Sequence, residues 1–136
     1  MTAIQIIKAY LITFGVFFLI DVFWIGVIAK KLYQNQIGFL LKENFSIIPA
    51  ILFYLLFIAA ILFFVINPAL TKNSWQFALF AGAFLGLVAY ATYDLTNLST
   101  IKDWPILLTI IDIAWGTILT ACTAIISYLI IQRVIY

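Results

Sequence analysis

Charged and turn-forming residues cut this chain into four long apolar runs. The first extends from about Ala9 to Ala29 and meets Lys30 and Lys31; the second extends from about Ile47 to Ile66. The third runs from about Trp75 to Asn97, and the fourth from about Pro105 to Ile131, before Gln132 and Arg133. A helix needs about 20 apolar residues to cross the hydrocarbon layer, and lipid offers no partner to the backbone of an open sheet. The pattern therefore predicts an all-α, four-helix transmembrane bundle. Residues 1–136 form one integral membrane domain on this reading, with both termini on the same side.

Local signals sharpen the boundaries. Pro49 falls in the first turn of the second run, where a missing N–H costs nothing. Asn67 and Pro68 read as the end of that run. Asp103-Trp104-Pro105 reads as a helix start, with an acidic N-cap and a first-turn proline. In the long connection from 30 to 46, Ile37 to Leu41 is apolar but too short to span, which suggests a short interfacial helix. Trp75 and Trp104 fall at expected membrane borders, where amphipathic rings anchor.

Composition agrees. The chain is 67% hydrophobic and 9% charged with mean hydropathy +1.23, which puts it in the membrane class. The first run is too long for a secretory signal and meets two lysines instead of a small-residue cleavage site, so it is expected to be retained. Cys122 is the only cysteine and there is no histidine, so the common zinc and haem ligand sets are missing and no metal or cofactor is expected. A net charge of +2 without a basic block excludes nucleic acid as a natural partner. Lys8, Lys72 and Arg133 collect on one side; Lys30, Lys31, Lys42 and Lys102 collect on the other. This small bias favours the Lys30/Lys31 side as cytoplasmic, and is compatible with dual insertion.

Three of the five acidic residues then stand out, because they lie inside apolar runs: Asp21, Asp94 and Asp112. A carboxylate in lipid costs several kcal/mol unless it is paired, hydrated or protonated. Asp21 lies nine residues before Lys30, Asp94 eight before Lys102, and Asp112 nine after Asp103. Chain parity puts all three borders on one membrane side, so the acids share a layer roughly 12–14 Å from it. They are expected to converge on an internal cavity.

Other polar groups join that layer. Tyr54 follows Pro49 by five residues, while Tyr90, Tyr93 and Asn97 lie within a turn of Asp94. Tyr90, Asp94 and Asn97 form one stripe that continues back through Gly86 and Gly82, a small-xxx-small step that lets backbones approach. Trp24 is one turn from Asp21 and Trp115 one turn from Asp112, each with a glycine just beyond, a weak hint of inverted repetition. The ordinary alternative is that these acids merely hydrogen-bond the bundle together. Such bonds average only about 0.6 kcal/mol in membranes, a poor return for burying three acids. No lysine or arginine lies inside a span to pair with them. Protonation, water or an external cation must neutralise them instead.

The strings DVFWIGVIAKKLY, NFSIIPAILFYLLF, VAYATYDLTNL, KDWP and DIAWGT resemble those of a bacterial family of small inner-membrane proteins known only as a domain of unknown function. The resemblance spans about Tyr10 to Tyr128. It implies a multi-pass protein of the bacterial inner membrane and interest in Asp21, Trp24, Tyr93, Asp94, Asn97, Asp112 and Trp115; it implies no activity.

Three functions compete. The first is binding or transport of protons or a small cationic solute, since buried acids attract cations and the neighbouring aromatic faces add cation–π attraction. In design, though not in motifs, this resembles the small multidrug transporters, which implies a homodimer. The second is a membrane enzyme acting on a lipid, with paired aspartates as acid and base; no nucleophile motif or cofactor fingerprint supports it. The third is a structural or accessory subunit. Beyond the lipid bilayer, the expected partner is a small cationic solute or a lipid.

Overall fold

The computed structural model describes residues 1–136 and contains only helices and turns. Four helices are long and apolar enough to cross a membrane: α1 (Ala3–Leu40), α2 (Ile47–Lys72), α3 (Trp75–Thr100) and α4 (Ile106–Ile135). Connections are short, so consecutive helices run antiparallel.

Helix α1 opens on a reciprocal cap. Thr2 accepts from the backbone of Gln5, and the Gln5 side chain accepts from the backbone of Thr2. The helix does not stop at Ala29. It continues through Lys30 and Lys31 to Ile37 and closes with a 3-10 turn at Gly38–Leu40, so no separate interfacial helix forms there. Charged residues end an apolar span, but Lys-Lys-Leu-Tyr-Gln-Asn-Gln contains no glycine or proline, and nothing in it breaks a helix.

Within α1, Ile25–Ala29 widens into a π turn. Such a turn takes up one extra residue. Asp21 and Tyr33 are twelve residues apart, which in a regular helix leaves them about 120° apart around the axis. Absorbing one residue reduces the difference to about 20°. The π turn thus brings Tyr33 round to the face that carries Asp21.

Helix α2 also outruns its expected end. It passes through Asn67 and Pro68 to Lys72 and stops at Asn73, which is left-handed with φ 49°. Pro68 has no N–H, and its ring crowds the carbonyl four residues earlier. A second π segment, Leu62–Ile66, widens the helix there and lets it continue. Asn73 then ties this end of the bundle to α4, accepting from Tyr128 Oη at 3.3 Å and Gln132 Nε2 at 2.6 Å.

Helix α3 starts at Ser74, whose hydroxyl accepts from Phe77 N at 3.1 Å. It packs on α4 through glycine. A Cβ added to Gly86 would stand 2.3 Å from the Gly116 carbonyl oxygen, one on Gly82 would stand 2.7 Å from Ala124 Cβ, and one on Gly116 would lie 2.0 Å from the Tyr90 ring. No side chain larger than hydrogen fits these crossings, as the small-xxx-small step anticipates.

Helix α4 corrects one further expectation. Its N-cap is Pro105, with no side-chain cap, and the helix begins at Ile106. Asp103 is instead a left-handed turn residue with φ 62°, a conformation that aspartate tolerates better than most. Trp104 is not an outward anchor either: it is buried, donates to Thr109 Oγ1 at 3.1 Å and meets Tyr93 edge-on at 5.9 Å. Trp75 does lie on the outer surface. The core collects Phe17, Ile58, Ile61, Ile66 and Leu119, while Leu19, Leu56, Phe80 and Phe84 face outward.

Candidate functional site

All three intramembrane aspartates are buried, with exposures of 8% for Asp21, 0% for Asp94 and 7% for Asp112. They come from α1, α3 and α4. Asp21 accepts from the Tyr54 hydroxyl of α2 on one oxygen and from the Trp115 indole of α4, at 3.3 Å, on the other. Asp112 accepts from the Tyr33 hydroxyl. The Trp24 and Trp115 rings stack with centroids 4.3 Å apart.

Asp94 differs from the other two. Both of its carboxyl oxygens are buried and neither accepts a hydrogen bond from any side chain or backbone group. Asp94 and Asp112 lie in the lining of the same cavity. Two ionised carboxylates that share a site disfavour each other's charge, which a shared proton or a bound cation relieves.

Two openings reach Asp112, and the first also takes in Asp94. A cavity of about 710 Å³ is lined by Asp94 and Asp112 and by Lys30, Gln34, Lys42 and Glu43, with Ile37 and Trp104 among its walls. A second space of about 480 Å³ lies between α2 and α3, lined by Phe53, Ala89, Tyr90, Tyr93 and Asp112. Tyr93 and Asp112 border both. Towards the other membrane side the bundle is closed by the glycine crossings and by buried Ile66, Ala69, Ala78 and Ile131. A third, apolar groove near Tyr10 and Phe63 contains no acid.

The remaining candidates divide by position. Tyr54 is a direct donor to Asp21. Tyr90 presses its ring on Gly116, meets Phe57 edge-on at 6.4 Å and lines the second opening. Tyr93 is 55% exposed and lines both openings. Asn97 bonds none of the three acids. Asp21 lines neither opening, so of the three acids these two cavities take in Asp94 and Asp112. Trp24 Nε1 is buried without an acceptor. Tyr33 is a site residue that the sequence pattern missed, because it falls beyond the lysines taken as the border. The uninterrupted helix-forming string up to Gly38 was the signal available. No group of three His, Cys, Asp or Glu side chains is arranged to hold a metal ion.

Four membrane-length helices around buried acids define a multi-pass integral membrane protein. The chain belongs to the family described as "Predicted membrane protein (DUF2177)", which matches residues 6–129. Neither curated proteins nor solved structures provide a match to it.

Proposed function

We propose that this protein binds a proton or the positively charged group of a small solute at Asp94 and Asp112 and carries it across the membrane. One observation carries the reading: Asp94 is fully buried, accepts no hydrogen bond, and shares the lining of one cavity with a second carboxyl, that of Asp112. A structural carboxyl in lipid should have its lone pairs satisfied by the bundle, as those of Asp21 are by Tyr54 and Trp115. Asp94 receives no donor from the chain, which leaves its oxygens to water, a proton or a cation. The cavity's lining reaches Lys42 and Glu43 in the first connection, and access from that membrane side suits one state of an alternating-access cycle. A bound cation and a proton would compete for the same oxygens, coupling their movements.

The test is uptake of methylammonium into liposomes containing the purified protein, driven by an imposed pH difference. Wild type should exchange methylammonium for protons, and Asp112→Asn should not. Equal rates in wild type, Asp112→Asn and protein-free liposomes would contradict transport. A lipid-modifying enzyme is the second reading, favoured by the opening between α2 and α3 that reaches Asp112. It requires an altered lipid to accumulate on incubation, with the yield lost in Asp112→Asn.

A further inference from the structure

We infer that the cationic group taken up by Asp94 and Asp112 is the primary ammonium of a phospholipid, an aminophospholipid seated headgroup-first in the larger cavity. The inference rests on the reading that these acids hold a cation, and goes beyond it by naming the molecule that carries the charge.

Size is the first argument. A proton or a bare ammonium needs very little room, yet Asp112 borders a cavity of about 710 Å³, in whose lining Asp94 also lies, and a second space of about 480 Å³. Volumes of roughly 300–1,000 Å³ are those of sites for whole organic ligands.

Charge pairing is the second. The lining that includes the two aspartates also includes Lys30 and Lys42, with Glu43 alone against them. Two lysines suit an anion. A phosphodiester at the lysines, with an ammonium a short arm away at the aspartates, matches both charges of the lining. Lys42 spends one donor on Ser46 Oγ at 2.9 Å and keeps others, since an ammonium carries three.

Hydrogen-bond chemistry narrows the headgroup. Both oxygens of Asp94 lack a donor. A primary ammonium brings three N–H groups, whereas a quaternary choline brings none and a glycerol headgroup brings no charge. The ethanolamine headgroup fits; the serine type would set its own carboxylate beside the aspartates, and the choline and glycerol types bring no charged N–H.

The route for the acyl chains is the last argument. The opening between α2 and α3 is lined by Phe53, Ala89, Tyr90 and Tyr93 and meets the headgroup cavity at Tyr93 and Asp112. Phe53 and Tyr93 are exposed on the lipid-facing surface. A lipid could slide in sideways, turn its ammonium arm towards the acids and leave its chains in the bilayer.

The experiment is native mass spectrometry of the full-length protein in detergent, titrated separately with phosphatidylethanolamine, phosphatidylglycerol, phosphatidylcholine and methylammonium. Phosphatidylethanolamine should bind about tenfold or more tighter than the other two lipids, the scale of a gained charge-assisted hydrogen bond. Asp94→Asn with Asp112→Asn should reduce it to the phosphatidylglycerol level. Lys30→Gln with Lys42→Gln should weaken phosphatidylethanolamine and phosphatidylglycerol together, and Ala89→Trp, which fills the lateral opening, should weaken all three lipids. Should the double aspartate variant fail to fold, the wild-type lipid ranking and Ala89→Trp still decide the matter. Equal retention of the three lipids overturns the inference. If that occurs while methylammonium still binds in an Asp112-dependent way, the cation reading survives without the lipid. If neither methylammonium nor phosphatidylethanolamine depends on the aspartates, both fall.

Discussion

The indoles of Trp24 and Trp115 lie face to face, with 4.3 Å between ring centroids and 6° between planes. They belong to antiparallel helices, and each is one turn from an aspartate of its own helix. The result is a crossed arrangement in which Trp115 of α4 donates to Asp21 of α1 at 3.3 Å. Trp24 does not repay the bond, since its Nε1 is buried without an acceptor. The likeness between the two Asp-x-x-Trp strings stops at the glycine as well. Gly26 has open space around it, whereas Gly116 is pressed against Tyr90.

Trp24→Ala and Trp115→Ala should therefore not be additive. Stacked aromatic pairs contribute about 0.5–1.5 kcal/mol beyond area burial, and a double-mutant cycle of unfolding in detergent should return a coupling of that size. Trp115→Ala alone should cost more than Trp24→Ala, because it also strips a donor from Asp21. Strict additivity would show that the stack contributes nothing.

Gly116→Ala should destabilise the bundle by about 1–3 kcal/mol, the usual penalty for overpacking. Its new methyl would stand 2.0 Å from the Tyr90 ring. Gly15→Ala, at a helical position with nothing within 4 Å, should be neutral or stabilise by up to about 1 kcal/mol through helix propensity. The two unfolding curves, compared side by side, check the glycine crossing.

Deleting Gly26 should be tolerated. Removing one residue from the π turn Ile25–Ala29 leaves a regular helix with Tyr33 still on the Asp21 face. Deleting Gly15, in a regular stretch, should instead rotate everything beyond it by about 100° and unfold or scramble the site. Thermal unfolding of both deletions distinguishes them, and equal damage would contradict the rotational role given to the π turn.

These residues also mark how far the sequence could be read. Four apolar runs and the cost of bare backbone in lipid were enough for four helices. Equal offsets of Asp21, Asp94 and Asp112 from border charges were enough to suggest one layer. What the pattern could not carry was rotation. A π turn has no compositional mark, so Tyr33 looked like part of a loop while in fact bonding Asp112. For the same reason Pro68 looked like a stop, although the widened turn before it lets α2 continue. Asp103 looked like a cap because the local string fits one, but a left-handed turn there moves the cap to Pro105. Asp21 bonds Tyr54 and Trp115 and lines neither cavity, a matter of which way each helix face turns, which offsets along the chain do not encode.

Tyr54→Phe and Tyr33→Phe each remove one hydroxyl donor from a buried carboxyl. Each should cost about 1–3 kcal/mol, the penalty for an acceptor left short of a partner. Tyr93→Phe, whose hydroxyl bonds no aspartate, should cost less. Unfolding free energies in the same detergent would show this order, and a Tyr93→Phe loss equal to the others would contradict it.

The most direct measurement is the affinity of purified protein for methylammonium from about pH 5 to about pH 9, a range in which the ligand stays charged because alkylammonium groups titrate near 10. A carboxylate binds the cation only after releasing its own proton, so wild-type affinity should rise with pH. Asp94→Asn and Asp112→Asn should give weak, flat profiles, while Asp21→Asn, outside the cavity, should keep the rise. A flat wild-type profile, or one unchanged by Asp112→Asn, would contradict a cation site at these two acids.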